Sequence, residues 1–329
     1  MGKPKFENAD GADEGVFHEG ELAVQQATGE RAIADRNSRM MYDAVPPAPA
    51  AFLAQQRLLV LASVDGAGAP WASLIFGSEG FASAPSSEIV VLDRTRSQIS
   101  SGDALLDNLR VDAMLGLLAI ELGSRRRYRI NGFVSAVTDE TVTLSVREAY
   151  VNCPKYIQRR HLLQSDQEPL ISRRISRGKV LDAERQALMR DADTMFVASK
   201  HPSRGADASH RGGEPGFLEL RDERTLRVPE YAGNGLYNTL GNLVVDSRAG
   251  LAIIDFEGAR VLQLTGAATV VLDAAPPKGE NQGELGRASG AATGRYWDFT
   301  VARWTELAMP RTFRWELIDR SPFNPPAQM

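Results

Sequence analysis

A chain of 329 residues, 43% of them hydrophobic, is long enough for two packed domains of ordinary globular composition. Lys+Arg and Asp+Glu nearly balance, 38 against 42, for a net charge of −4, so the electrostatic footprint of a protein that binds nucleic acid or an anionic membrane is missing. The single cysteine, Cys153, excludes an intramolecular disulfide and a clustered-thiolate site, and no signal-like or membrane-length apolar run occurs, so the expectation is a cytoplasmic protein with neither nucleic acid nor membrane as partner.

In chain order, residues 1–15 are rich in Gly, Asp and Asn without apolar periodicity and are expected to be disordered. A broken helical pattern runs from Glu19 to Met41, and the prolines of Val45–Ala50 are expected to end it before a short helix over Ala51–Gln56. The run Leu58–Val64, the turn Asp65–Gly68 and the run Trp71–Phe76 predict a β-hairpin. Further strands are expected at Ile89–Leu92, Met114–Ile120, Arg127–Asn131 and Thr141–Val146, with one helical segment over Ala104–Leu109. Many short strands around a single helix point to a small closed or nearly closed barrel.

An internal repeat extends this reading to the second half. Ala62-Ser63 is echoed by Ala198-Ser199 and Gly80-Phe81 by Gly216-Phe217, both at one common spacing. Asn108-Leu109 then matches Asn242-Leu243, Ile120-Glu121 matches Ile254-Asp255, and Ile130–Gly132 matches Leu264–Gly266, all at a second common spacing that is only slightly shorter. The predicted architecture is therefore mainly β with peripheral helices, two tandem split β-barrels forming an internal pseudo-dimer. Its expected parts are a disordered start (1–15), a helical lead-in (16–50), a first barrel (51–155), a helical linker (156–189) with a helix near Leu181–Met189, and a second barrel with a C-terminal tail (190–329).

A barrel of about six strands fills its interior with side chains, so a planar ligand has to sit outside it, in a groove where two barrels meet. A fused pair makes the two grooves of such a seam inequivalent, so one can keep a ligand while the other fills. The second copy carries the polar residues for such a groove. Ala208–Gly213 places hydroxyl, imidazole and guanidinium groups where the first copy has the apolar Ala72–Gly77. Arg211 suits a phosphate or a ring carbonyl, and Gly212 and Gly213 are expected to let backbone approach a flat ring. The loop after Leu226–Tyr231 brings Asn238 and Thr239 to a helix start, an arrangement suited to phosphate.

These residues resemble the pyridoxamine-5'-phosphate-oxidase-like flavin-nucleotide-binding family, in its longer members with two barrel copies. The resemblance rests on His18–Glu21, Pro70–Ser73, Asn152–Gln158, Ser209–Gly213, Asn238–Leu243 and Ser321–Pro326, spread over nearly the whole chain beyond its first residues. It implies FMN as ligand, with Ser209, His210, Arg211, Gly212, Pro229, Asn238, Thr239, Asn242, Lys155 and Tyr156 as cofactor-binding residues; catalytic residues are not implied. Two departures matter. The Ser-Arg-Lys phosphate clamp of the oxidase falls near Asn238-Thr239-Leu240, and its C-terminal Trp-plus-Arg signature is not recognisable in Phe313–Asp319, which argues against pyridoxamine phosphate as substrate.

Other chemistries find less support. The four histidines, at 18, 161, 201 and 210, are too dispersed in sequence to propose a metal site, no Gly-x-Ser-x-Gly is present, and the glycine-containing stretch 232–241 leads into β-rich sequence. Cys153 reads as a buried inert thiol, and Arg125, Arg126, Arg127 and Arg129 as a solvated strand end. The functional expectation is an FMN-dependent oxidoreductase taking electrons from a reduced nicotinamide or flavin to a small substrate, working as a monomeric pseudo-dimer or a homodimer. The alternatives are a non-catalytic flavin or haem carrier and a barrel pair that has lost its ligand.

Overall fold

The computed structural model describes residues 15–164, 175–272, 292–310 and 312–326; residues 1–14 of the stretch expected to be disordered lie outside them. The chain opens with α1 (Glu19–Thr28), α2 (Arg31–Asn37), β1 (Met41–Tyr42) and α3 (Pro47–Ala54). Pro47 and Pro49 sit in the first turn of α3 instead of ending a helix, because backbone N–H groups there have no intrahelical acceptor to lose. The first barrel follows as β2 (Leu58–Val64), β3 (Pro70–Gly77), β4 (Ala82–Ser86), β5 (Ile89–Asp93), β6 (Ser97–Ile99), α4 (Leu105–Asn108), β7 (Met114–Glu121), β8 (Arg126–Val137) and β9 (Thr141–Val151).

The second half runs β10 (Arg159–Gln164), β11 (Ser176–Gly178), α5 (Ala183–Asp191), β12 (Thr194–His201), β13 (Gly205–Gly212), β14 (Glu219–Leu220), β15 (Thr225–Tyr231), α6 (Asn238–Val245), β16 (Arg248–Asp255), β17 (Arg260–Val271), β18 (Ala292–Ala308) and β19 (Phe313–Asp319). Two features depart from the sequence reading. The stretch expected as a helical linker contains two strands as well as α5, and β10 pairs with β19 as a separate two-stranded ribbon. β18, unrecognised in sequence, is a central strand of the second sheet, bonded to β17 along most of its length.

The duplication is visible strand by strand. The first sheet contains the order β3-β2-β7-β8-β9-β5-β4, and the second runs β13-β12-β16-β17-β18-β15-β14, the same path with the same antiparallel pairings. Each sheet encloses its own apolar core, around Leu59, Leu61, Leu117 and Ile130 in one and Met195, Val197, Leu251 and Leu264 in the other. Alternate residues on the same strands, Leu58, Val60 and Leu118 from one barrel and Phe196, Ala252 and Ile254 from the other, form a third core at the seam. Buried on both faces, such strands read as continuous apolar runs rather than alternating ones.

Close backbone approach holds the seam. A Cβ on Gly116 of β7 would lie 2.7 Å from Ala206 O and 2.8 Å from Asp207 Cα, and a Cβ on Gly250 of β16 would collide in the same way with Pro70 and Trp71. Gly116→Val is expected to cost about 1–3 kcal/mol through forced separation of the barrels. Urea denaturation reads that loss, and an unchanged midpoint would contradict this account of the seam.

Candidate functional site

A cleft opens where β8 of the first barrel faces β13, β15 and the start of α6 in the second. One wall is β13, with Ser209, His210, Arg211 and Gly212; another is Pro229, Glu230 and Tyr231 of β15; the floor is Asn238 and Thr239. Lys155 and Tyr156 close the side. Nine of the ten residues singled out from sequence thus line one cleft. The tenth, Asn242, lies about one turn further along α6, where its Nδ2 donates to Ser199 Oγ (2.9 Å), and it lines a smaller neighbouring cavity instead.

The largest difference from expectation is the arginine cluster read as a solvated strand end. Strand alternation sends Arg126 outward, to an exposed ion pair with Glu121, and turns Arg127 and Arg129 toward the seam. Arg129 is buried and heavily engaged: it pairs with Asp207 (3.0 Å) and donates to Ala208 O (3.0 Å), Tyr150 Oη (2.8 Å), Asn238 Oδ1 (3.1 Å) and Ser209 Oγ (2.5 Å). Arg127 is not neutralised in this way. Its Nε donates to Cys153 O (2.8 Å), and it has no carboxylate partner among the described residues. Burial lowers its pKa to about 9, despite an opposing effect of Cys153, with Arg129 and Arg211 adding repulsion. A cation with poor hydration and cationic neighbours attracts an anionic ligand.

Local packing explains the other residues. Arg211 pairs with Glu230 (3.0 Å), yet its Nε is buried without a partner. His210 is buried with both ring nitrogens unpartnered, and burial, then Arg127 and Arg211, hold its pKa well below the ordinary range, so the ring is neutral. Tyr156 Oη donates to Ala232 O (2.8 Å) and its ring lies 5.0 Å from that of Tyr231. Gly212 is glycine for a reason other than a flat ligand: a Cβ there would strike Tyr156 O, and one on Gly213 would strike the Phe217 ring. Cys153 is half-buried at the cleft and contributes its carbonyl to Arg127.

Two motifs far apart in sequence frame this wall together. Gln158 Nε2 donates to Tyr156 O (3.1 Å) and Gly213 O (3.2 Å), while its Oε1 accepts from Ser321 N (2.8 Å) and Asn324 Nδ2 (3.0 Å). The tail Ser321–Pro326 therefore fastens the Asn152–Gln158 segment against β13. At the floor, Tyr237, the residue before α6, makes no side-chain cap bond, so the first-turn N–H groups of α6 stand at the cleft without a capping acceptor.

Behind the floor lies a polar cluster that the sequence did not reveal. Glu21 of α1 accepts from Asn238 Nδ2 (2.6 Å), and Asn131 Nδ2 donates to Glu148 (2.7 Å) and Asp207 (3.0 Å). Burial pushes Glu21 up to about 8 and Glu148 to about 7, with repulsion from Glu148 adding to the first and repulsion from Asp207 to both. His18 and His201, distant in sequence, meet with ring centroids 4.2 Å apart and planes tilted by 35°, and with Glu19 they offer ligand atoms within 4.8 Å of one another. Their Nδ1 atoms accept backbone N–H groups, His18 from Gly20 (3.2 Å) and His201 from Ser203 (3.2 Å). That leaves Nε2 of each ring as the atom a metal would need, and His201 Nε2 lies 3.1 Å from Glu19 Oε1. The arrangement caps α1 and links it to β12 through the His201–Glu19 contact.

This cluster predicts opposed pH limbs. His18 is lowered from 6.5 to about 3 by burial and by His201, so its contribution to stability is present above pH 6.5 and lost as pH falls toward 3. Glu21 and Glu148 are raised, so the stability tied to their protons is present below about pH 4.5 and lost as pH rises through 7 to 8. Urea midpoints across pH 4 to 9 are expected to flatten on the alkaline side in Glu21→Gln and on the acid side in His18→Asn. Parallel profiles for parent and variants would contradict this.

The chain is thus a tandem pair of split barrels with a cation-rich cleft at their seam. Residues 45–168 match the family model described as pyridoxamine 5'-phosphate oxidase, and the fold is a pyridoxamine-5'-phosphate-oxidase-like split barrel. No curated protein matches it. Among solved structures it is similar to HupZ of Group A Streptococcus, at 14% identity over 37% of this chain and 89% of that chain (TM-score 0.27). It is also similar to the heme storage protein HutZ of Vibrio cholerae, at 13% identity over 37% and 89% (TM-score 0.25). A putative pyridoxamine 5'-phosphate oxidase of Lactobacillus delbrueckii is 11% identical over 42% and 98% (TM-score 0.27). No helix among the described residues is long and apolar enough to cross a membrane.

Proposed function

We propose that the chain is an FMN-binding flavoprotein, an oxidoreductase that passes electrons from a reduced nicotinamide or flavin to a small substrate. The observation that carries this reading is Arg127, a cation in the cleft wall with no carboxylate of its own among the described residues, beside the uncapped start of α6. Asn238, Thr239 and the first-turn N–H groups would hold the phosphate. Arg127, Arg211 and Lys155 supply positive charge, and Tyr156, Tyr231 and Pro229 supply apolar walls for a ring system. Bound FMN would supply the hydride chemistry; the chain's residues bind and orient it and favour its anionic form. Orphaned polar atoms at the cleft, the His210 ring nitrogens and Arg211 Nε, fit a ligand bearing both donors and acceptors.

One observation favours a second reading. A buried neutral imidazole with both nitrogens unpartnered, as in His210, would also serve to hold a haem, which would make the protein a carrier without turnover. The absorption spectrum of freshly purified protein separates the two. Flavin bands that bleach with a reduced nicotinamide and recover in air support the oxidoreductase. A Soret band lost in His210→Ala supports the carrier, and a colourless chain that takes up neither ligand refutes both.

A further inference from the structure

The pseudo-two-fold relating the barrels generates two equivalent grooves, and the chain furnishes them differently. At the cleft, Arg129 donates to Ala208 O (3.0 Å) and to Ser209 Oγ (2.5 Å), which also accepts from Thr239 Oγ1 (2.9 Å). In the other groove Gln263, which the repeat aligns with Arg129, holds the same frame. Its Nε2 donates to Ala72 O (2.8 Å) and to Ser73 Oγ (3.1 Å), the repeat equivalents of Ala208 and Ser209. Deeper in each barrel, Asn242 to Ser199 Oγ and Asn108 to Ser63 Oγ, both 2.9 Å, repeat the correspondence.

Charge and space have changed within that common frame. The guanidinium has become a neutral amide, and the place of Thr239 is taken by Asp103, a buried carboxyl that accepts from Ser73 Oγ (2.5 Å) and Gln263 Nε2 (3.0 Å). Arg127 maps to Val261, and His210, Arg211 and Gly212 map to Leu74, Ile75 and Phe76. The Phe76 ring meets Phe313 and Trp315 of β19 at 5.4 and 5.9 Å between centroids, in the apolar seam core. An acid stands where the first groove offers donors to an anion, and aromatic side chains fill the space beside it.

We infer that the two grooves are functionally unequal: the Arg127–Arg129 cleft takes one flat anionic ligand per chain, and the Gln263–Asp103 groove is closed by the chain's own side chains, with the Arg127/Val261 exchange deciding which is which. The inference rests on the anion-site reading above but not on the ligand being FMN. The ligand-free full chain is titrated with FMN and, separately, with haemin, and the bound equivalents are counted by equilibrium dialysis and native mass spectrometry.

One equivalent is expected. Arg127→Val copies the Val261 of the closed groove without stranding a carboxylate, and is expected to bind about tenfold more weakly or worse. Gln263→Leu, in the opposite groove, is expected to bind one equivalent at parental affinity. Two equivalents of either ligand, parental affinity in Arg127→Val, or loss of binding in Gln263→Leu would overturn the inference. One equivalent of haemin with no FMN bound refutes the FMN reading and keeps the asymmetry; binding of neither refutes both.

Discussion

Replacing Arg127 by glutamine is expected to weaken FMN binding by about ten- to a hundredfold while leaving the fold as stable as before or slightly more so. A hydrogen bond to a charged group is worth about 1.5–3 kcal/mol, and each 1.4 kcal/mol is a factor of about ten in affinity. The opposite sign expected for stability is the discriminating part. The Arg127 pKa is lowered because burial and two neighbouring arginines disfavour its charge, so removing that charge from the ligand-free protein relieves repulsion without stranding a carboxylate. Fluorescence quenching of FMN reads the first effect and urea denaturation the second. Unchanged affinity would remove Arg127 from the site, and a stability loss of several kcal/mol would show that it is a structural cation after all.

Arg160→Met is expected to destabilise the chain by about 3–5 kcal/mol, the usual cost of stranding one partner of a buried ion pair. Arg160 Nη2 lies 2.6 Å from Asp193 Oδ2 with both side chains buried, and its guanidinium sits 3.9 Å above the Phe256 ring. The pair joins the β10–β19 ribbon to the start of β12, and Gln158, just before Arg160 in the chain, fastens the cleft wall. Loosening this anchor is therefore expected to weaken ligand binding as well. Adding Asp193→Asn should restore much of the loss, because the uncompensated charge is gone. A double variant no more stable than Arg160→Met would mean that packing on Phe256, rather than charge, is what the arginine supplies.

The contrast between these two arginines shows where sequence reasoning stopped. Both lie on strands, and alternation alone says that one face of β8 carries Arg127, Arg129 and Asn131. A signal was available: the repeat places Val261, Gln263 and Thr265 at the matching positions of β17, an apolar and neutral face from which an arginine pair departs. Which face points to the seam follows from how the barrels dock through Gly116 and Gly250, and no local pattern encodes that. His18 and His201 are a second case, since α1 has to lie across the second barrel before the rings can meet. β18 went unrecognised because its apolar residues alternate with Asp, Thr, Arg and Glu, which conceals a central strand among polar ones.

What the amino-acid order determined by itself was whatever depends on near neighbours and on repetition: the hairpins from their turn residues, the apolar runs that serve two cores, and the doubling of the barrel from matches that recur at nearly constant spacing. It also brought together most of the residues around the cleft, because β13 and the start of α6 are contiguous stretches whose polar content is out of place in a core. Tertiary structure alone decided the charge inside that cleft. Whether a guanidinium is hydrated, paired or left facing a cavity depends on atoms contributed by the other barrel, as Asp207 does for Arg129 and no described carboxylate does for Arg127. Electrostatic energy falls off with distance in space and takes no account of separation along the chain.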